Sequence, residues 1–320
     1  MLWWLALPSA IVSGVAWMGS SRVYYLDLLV SQQIWLAWWT VLLLAIALCT
    51  RRWRIAVLLI VSSVLAFYPI VYGRTMRLPE VDFTTKPEGV IRVVSCNINP
   101  ENARYEEAMD SLTTIDADVI VLIEVPAELS RDIRNRGVLE RTAYEHWAHR
   151  AWIDEITSPG FILSTVPIEV IQPDTDENIA RHILRVRVAF GSHDVMIGLV
   201  HPVSPRTIER WRAGNSVIHH QASFGANLQS EHAAPTIIGA DINAGPAQAR
   251  SRVMRRSGFS MSKPLLQPGG TFPSGNAGVF SVQLDDLWTK GAIDPIAWSK
   301  INIPGSDHFA VVCDFEFTAP

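Results

Sequence analysis

Cysteine is scarce in this chain, with three among 320 residues, and three scattered thiols cannot make a disulfide framework. Cys49 falls in an apolar stretch, and Cys96 and Cys313 fall in strand-like apolar runs, where a thiol reads as a small buried hydrophobe. Charge is thin as well: 18% of residues are Asp, Glu, Lys or Arg and the net charge is −4. That balance lacks the basic footprint of a protein that grips long nucleic acid through its phosphates. The shortage is uneven. Residues 1–73 hold only five charged side chains, Arg22, Asp27, Arg51, Arg52 and Arg54. The first 89 residues carry six Arg, one Lys and four acids, net +3, which leaves 20 basic and 27 acidic residues, net −7, in the remainder. Two basic runs in that remainder (Arg131, Arg134 and Arg136; Arg250, Arg252, Arg255 and Arg256) read as solvated helix faces.

Where charge is missing, long apolar stretches stand instead: Leu2–Gly19, Ile34–Thr50 and Ile55–Gly73. Each is near the roughly 20 residues that cross a bilayer. Seven of the twelve tryptophans lie here, several near stretch ends, where amphipathic rings favour the headgroup region. The first stretch lacks a basic n-region and two more follow at once, so it does not read as a cleaved signal peptide. Three membrane helices and a multi-pass cell-membrane protein are expected. Arg51, Arg52 and Arg54 in the second link favour a cytoplasmic position there, which places everything after Gly73 outside the cytoplasm.

Residues 74–89, with Pro79 and Pro87 and no periodic pattern, read as a linker. Residues 90–320 suffice for one domain with its own core. That domain repeats a plan. Val90–Cys96 leads through a helical stretch, Ala103–Ile115, to a second strand at Asp118–Val125. Val195–Val200 leads through Pro205–Leu228, with Ser204 as N-cap and Pro205 at the first helical position, to Pro235–Ala240. Two strand–helix–strand halves facing each other make a four-layer α/β sandwich with strand ends along one edge.

Six short pieces sit at or near such ends: Cys96-Asn97-Ile98-Asn99, Ile123-Glu124-Val125, His201-Pro202, Gly239-Ala240-Asp241-Ile242-Asn243, Leu284-Asp285-Asp286 and Ser306-Asp307-His308. A carboxylate after an apolar strand does not serve the core, because burying an unpaired charge is costly. Several of these pieces alone have a plain structural reading, whereas Glu124, at the end of a five-residue apolar run, is hard to explain structurally. Asp241 and Asn243 would form a turn, Asp307 and His308 would cap the last strand (Phe309–Phe317), and His219-His220 points apart on a helix. Together the six point to a metal-dependent phosphoesterase.

In order and content the set resembles the endonuclease/exonuclease/phosphatase superfamily, across residues 90 to 317, and in its anchored layout the bacterial membrane-bound branch, some members of which act on lipid-linked phosphates. The resemblance implies a DNase I-like fold, with Asn97 and Glu124 as metal ligands. Asn99 stands where some members carry an acidic second ligand. Gly239-Ala240-Asp241-Ile242-Asn243 has one Ala more than the usual Gly-Asp-x-Asn, to be absorbed in a strand-end turn. Leu284-Asp285-Asp286 keeps the Asp of the usual Ile-Asp-His, and Asp285 is the member expected to face the site. The inositol 5-phosphatase signature Pro-Ala-Trp-Cys-Asp-Arg is absent.

On this reading Glu124, Asp307 and the Asn97 amide suit Mg²⁺ or Mn²⁺. Asp241 takes the proton of the attacking water, Asn243 orients water or phosphate from the same strand face, and His308, kept cationic by Asp285, donates to a phosphoryl oxygen. His201 donates to phosphate or the leaving group. Asn99, Ser204 and Phe272 are further candidates for contact with substrate. The expected substrate is a lipid-linked phosphate at the bilayer, a polyprenyl pyrophosphate or a phospholipid headgroup. A nuclease acting on DNA or RNA outside the cytoplasm is the alternative, and a catalytically dead envelope binding module a third. No protein partner is implied.

Overall fold

The computed structural model describes residue 14 and residues 19–31, 33–71, 75–135, 149–153, 159–171, 176–227, 234–275 and 281–318. Two six-stranded mixed sheets form its centre. The first runs in the order β11 (Ile293–Asn302), β12 (Phe309–Phe317), β1 (Ile91–Asn97), β2 (Val119–Ile123), β4 (Gly160–Ser164), β3 (His149–Ile153). The second runs β5 (Ile168–Val170), β6 (Ile183–Phe190), β7 (His193–Val200), β8 (Thr236–Asp241), β10 (Asp285–Lys290), β9 (Ser260–Met261). The two orders are equivalent. Each sheet has one parallel pair at its centre, β1 with β2 and β7 with β8, flanked by antiparallel neighbours.

The apolar runs are continuous because both faces of the central strands are covered. Val93, Val119, Val121 and Ile123 face inward against Val186, Val195, Ile197, Leu199 and Ile237 of the other sheet. Alternate residues face outward, as the two-residue period of a strand requires. Val94, Cys96, Ile120 and Leu122 pack beneath α4 (Tyr105–Thr113) and α5 (Ala127–Arg134), through Met109, Leu112, Leu129 and Ile133. Ile238 and Ala240 pack beneath α7 (Ile208–Asn227) and α8 (Ala249–Arg256), through Val217, Ile218 and Met254. The layers are therefore helix, sheet, sheet, helix, the four-layer sandwich expected from the strand–helix–strand repeat. A short helix, α6 (Glu177–Ala180), precedes β6.

At two points the sheets nearly touch. A Cβ added at Gly239 would lie 2.7 Å from the Val121 Cβ, and one added at Gly160 would lie 2.8 Å from Leu199 Cδ1. The extra residue in the Gly239-Ala240-Asp241 piece is not taken up in a turn, as expected, but within β8. Ala240 is in register with Val200 on one side and Asp286 on the other, so the strand simply runs one residue longer. The helix after β7 also starts later than expected. It begins at Ile208, where the Thr207 hydroxyl accepts from the Arg210 N–H at 3.3 Å, while the Pro205 carbonyl accepts the Tyr24 hydroxyl at 3.0 Å.

Ahead of the sandwich stand α1 (Tyr24–Val30), α2 (Gln33–Cys49) and α3 (Trp53–Val71). The expectation of three membrane spans is not met: among the described residues no helix is long and apolar enough to cross a membrane. Most of Leu2–Gly19 lies outside the described residues. α2 has 17 residues, and α3 has 19 of which Arg54 is the second. Their apolar lengths at about 1.5 Å per residue fall short of a hydrocarbon core of roughly 30 Å. The two helices pack as a hairpin through Leu43, Ala47, Ile55, Ala56 and Leu59.

Residues 75–90 form no helix or strand but are tied down. Leu265 and Leu266 donate their N–H groups to the Thr75 and Met76 carbonyls, and Trp298 donates to the Pro79 carbonyl. The Val81 N–H donates to the Ser299 hydroxyl at 2.9 Å. Arg92, fully buried, pairs with Asp314 at 2.7 Å and donates to the carbonyls of Asp82, Thr85 and Ile115, so its charge is satisfied on every side.

Because the sheets approach backbone to side chain at Gly239, Gly239→Val should lower stability by about 1–3 kcal/mol through overpacking. The check is chemical denaturation of the full-length protein. An unchanged midpoint would show that the sheets can separate freely there.

Candidate active site

The C-terminal ends of the four parallel strands meet at one edge. β1 ends in Asn97, β2 is followed by Glu124, β7 by His201, and β8 ends in Asp241. Contacts cross between the sheets: Asn97 Nδ2 donates to Asp241 Oδ2 at 3.2 Å, and His201 Nε2 lies 3.4 Å from Glu124 Oε1. Asn97, His201 and Asp241 are buried, and Glu124 is partly exposed.

Turns at these ends aim the side chains. Asp241 Oδ1 accepts the Asn243 N–H at 2.8 Å, and Asn97 Oδ1 accepts the Asn99 N–H at 3.0 Å. Both are Asx turns, with Asn243 at φ 51° and Asn99 at φ 72°. Asn243 is therefore not a strand residue sharing a face with Asp241, as expected. The left-handed turn swings its amide to 3.4 Å from His201 Nε2 and 3.2 Å from the Pro202 carbonyl. The plain turn reading and the site reading of this pair hold together. Glu124 is a third left-handed residue, at φ 53°. Such a conformation in a non-glycine residue costs on the order of 1–3 kcal/mol and persists where surrounding structure enforces it, commonly at functional sites.

β10 and β12 supply the rest. His308, just before β12, has Nδ1 2.8 Å from Asp285 Oδ2 and 3.9 Å from Asp241 Oδ2. Burial opposes a charge on His308, but the Asp285 carboxylate outweighs it, with Asp241 and Asp307 adding to the effect, and the imidazole is pushed up to about 10. Of the two adjacent acids, Asp285 faces His308. Asp286 points the other way, to the Ser262 hydroxyl at 2.6 Å and the Lys263 N–H. Ser306 braces the arrangement, its hydroxyl donating to the Asn97 carbonyl at 2.7 Å and accepting the His308 N–H at 3.0 Å. Phe272 packs against His308 with ring centroids 4.7 Å apart and the planes tilted by 39°, and Thr271 Oγ1 accepts the Leu284 and Asp285 N–H groups. Asp307 is exposed beside His308, and Ser204 is half-buried just beyond the His201 loop.

The donors suit a divalent cation. Glu124, Asp241, Asp285 and Asp307 concentrate four carboxylates against one imidazolium, and Asp285 Oδ1 is buried without a hydrogen bond. Burial pushes the Glu124 carboxyl up, His201 draws it back, and Asp241 pushes it up again. A cation would relieve that congestion. Asp241, Asp285 and His308 have ligand atoms within 4.8 Å of one another. In that trio, however, the His308 nitrogen is committed to Asp285, and a cationic imidazole offers no lone pair. The hard oxygens of Glu124 and Asn97, with Asp307 at the rim, are the better cradle.

Two residues had no signal in local sequence. Arg250, read among solvated arginines, is buried, and Arg252 and Arg255 are buried with it. Arg250 donates to the Ile242 carbonyl at 2.9 Å, the Val203 carbonyl at 3.0 Å and Asn215 Oδ1 at 3.1 Å, tying together the loops that carry Asn243 and His201. Burial brings its guanidinium down to about 10, against the pull of Asp27 and Asp241. Asp27, in α1, is buried and accepts from the Ala249 N–H at 2.7 Å and Trp211 Nε1 at 2.9 Å, capping the helix that bears Arg250. An arginine at the right helical spacing and an acid in an apolar stretch do not announce such partners.

The profile of the endonuclease/exonuclease/phosphatase family matches residues 94–308. The chain belongs to that family. Members generally hydrolyse phosphate ester bonds and depend on a divalent metal. Solved structures share the fold. An endonuclease/exonuclease/phosphatase from Beutenbergia cavernae is 15% identical, with a TM-score of 0.54 over 72% of each chain. A humanized D. rerio TDP2 is 14% identical, with a TM-score of 0.53 over 72% of this chain and 100% of its own. The human Nocturnin catalytic domain, solved with a bound sulfate anion, is 15% identical, with a TM-score of 0.51 over 73% of this chain and 97% of its own. No protein of curated function matches the sequence.

The raised His308 has a consequence for stability. Its ion pair with Asp285 contributes fully below the ordinary imidazole value near 6.5 and is lost as pH climbs through about 10. The melting temperature of the full-length protein should fall between pH 7 and 10, and His308→Gln should flatten that fall. An equal slope in both proteins would place the titrating group elsewhere.

Proposed function

We propose that this protein is a divalent-metal-dependent phosphoesterase working at a membrane surface on a lipid-linked phosphate, a polyprenyl pyrophosphate or a phospholipid headgroup. The observation that carries the reading is the union of a phosphate-ester site with an apolar helical hairpin docked beside it. Trp38, Trp53, Val57, Ile60, Val61 and Val64 of α2 and α3 are all exposed, Trp53 to 65% and Val57 to 63%. A contiguous apolar surface of that kind marks a protein or membrane contact. The tryptophans and the lack of charge between Arg54 and the hairpin's end favour lipid. The net charge of −7 after residue 89 argues against long nucleic acid as the habitual substrate.

The reaction breaks a P–O bond. Water supplies the oxygen that joins phosphorus, and the leaving oxygen gains a proton. Bound at Glu124, Asn97 and Asp307, Mg²⁺ or Mn²⁺ would supply charge neutralisation for the phosphoryl oxygens. Asp241 accepts the proton of the attacking water, its carboxylate held by the Asn97 amide and the Asn243 N–H. The Asn243 amide orients that water or a phosphate oxygen. His308, cationic through Asp285, donates to a non-bridging phosphoryl oxygen, and Phe272 fixes its ring. His201, which lies between Glu124 and Asn243, donates to the leaving oxygen on this reading. Arg250 holds the loops carrying Asn243 and His201 at fixed separation.

The test is phosphate release by full-length protein in lipid nanodiscs. EDTA should abolish turnover of a prenyl pyrophosphate, and Mg²⁺ or Mn²⁺ should restore it. Full activity in EDTA would overturn the metal assignment. Asp241→Asn should lower kcat by about 10²–10⁴-fold with little change in melting temperature. Wild-type turnover in that variant would remove Asp241 from the chemistry. Efficient DNA cleavage with inert lipid phosphates would transfer the site to a nuclease.

A further inference from the structure

Between the hairpin and the catalytic strands lies a cleft of about 390 Å³, lined by Val30, Trp38 and Ile70 on one side and Ala247, Leu265 and Val282 on the other. We infer that this cleft seats the hydrocarbon chain of a lipid phosphate whose head lies at the Glu124, Asp241 and His308 site; the inference rests on the lipid-phosphate reading above and specifies it.

Three observations carry the assignment. The cleft is apolar in depth. Val30, Ile70 and Ala247 are buried together, with Leu265 packed on them, and Leu266 stands 63% exposed at the rim. Its size is that of a ligand site, where ordinary interiors leave few voids larger than a water molecule.

The second observation is continuity with the catalytic strands. Gly245 on the wall follows Asn243 by two residues, and Gln283 on the wall precedes Asp285 by two and donates its amide to the Asp285 carbonyl. Val282 pairs with Phe272, whose N–H donates to the Val282 carbonyl at 3.0 Å, and the Phe272 ring in turn packs against His308. The cleft wall at Val282 and the imidazole of His308 thus share one neighbour, Phe272.

The third observation selects the occupant. The hairpin wall is part of the same two helices whose outer faces are exposed and apolar, so a chain can enter from lipid without crossing water. The cation on the wall, Lys263, is buried with its ammonium on the Gln267 carbonyl at 2.5 Å. An alkyl chain asks for no hydrogen bonds, and each methylene it buries adds to affinity in proportion to area.

The experiment uses full-length protein in nanodiscs with Mg²⁺, in two arms. In the first, a diazirine-bearing hexadecyl phosphate is photo-activated and adducts are mapped by mass spectrometry. Adducts should fall on Val282, Leu265, Leu266 and Ala247. In the second, kcat/KM is measured for hexyl and hexadecyl phosphates. The longer chain should be favoured at least about tenfold, the scale of two buried methylenes. That preference should vanish in Leu266→Arg and in Val282→Trp, each with a cooperative melting transition to show that it folds.

Adducts confined to the outer face of α2 and α3, or equal kcat/KM for both chains, would overturn the cleft while leaving the phosphoesterase standing. Labelling of the cleft without turnover of either phosphate would keep the chain site and overturn the substrate reading. Cross-links joining two copies through Leu266 would assign the cleft to self-association and overturn the inference.

Discussion

The candidate active site depends on how closely two sheets can lie back to back. Gly239 and Gly160 have no side chains, so β8 meets Val121 and β4 meets Leu199 at distances that a Cβ would forbid. Only then do the ends of β1 and β2 in one sheet, and of β7 and β8 in the other, come within hydrogen-bonding distance across the interface. The 3.2 Å contact of Asn97 with Asp241 and the 3.4 Å approach of His201 to Glu124 are both inter-sheet contacts. Neither sheet alone contains a site. The glycine of the Gly239-Ala240-Asp241 piece is thus part of the packing, while the aspartate two residues later faces the candidate site.

The site's charge is organised by the backbone as much as by side chains. Asn99, Glu124 and Asn243 all sit in the left-handed region, and each closes a strand end. The two Asx turns use the side-chain oxygen of Asn97 and one carboxylate oxygen of Asp241, and the Asn97 Nδ2 and the other Asp241 oxygen meet across the sheets. Carboxylates so concentrated repel one another. The protein answers with one imidazolium, His308, and with Arg250 set behind the loops, both charged and both largely withdrawn from water. What remains is an excess of negative oxygen at the open side, the condition that a hard cation meets.

Much of this was legible in the sequence, for identifiable reasons. Strands covered on both faces appear as short apolar runs, so β1, β2, β8 and β12 could be located nearly to the residue. A polar group at the end of such a run has no core function, which singled out Asn97, Glu124, Asp241 and His308. Strand alternation lets only one of Asp285 and Asp286 face the site, the family resemblance picks Asp285, and the contact to His308 agrees. The illegible features all involve partners far away in the chain. The start of α7 depended on Tyr24 claiming the Pro205 carbonyl. Arg250 depended on carbonyls at 203 and 242, and Asp27 on an amide at 249. The left-handed turns carry no glycine to mark them. Hydropathy also overstated the membrane segment, since it counts apolar residues without saying where a helix begins, breaks or leans on a neighbouring domain.

Asp27 gives the molecule an unusual boundary. Its carboxylate caps the helix from which Arg250 reaches the catalytic loops, and its own backbone carbonyl takes the Gln248 amide. A residue that by sequence belongs among the hydrophobic helices is, by hydrogen bonding, part of the enzyme's scaffold. The candidate site's residues all follow residue 90, but the hydrogen bonds that brace the loops behind it reach back to Asp27. A truncation that removed α1 would take away the cap of that helix and the partner of the Gln248 amide, and so would reach the loops that Arg250 ties together.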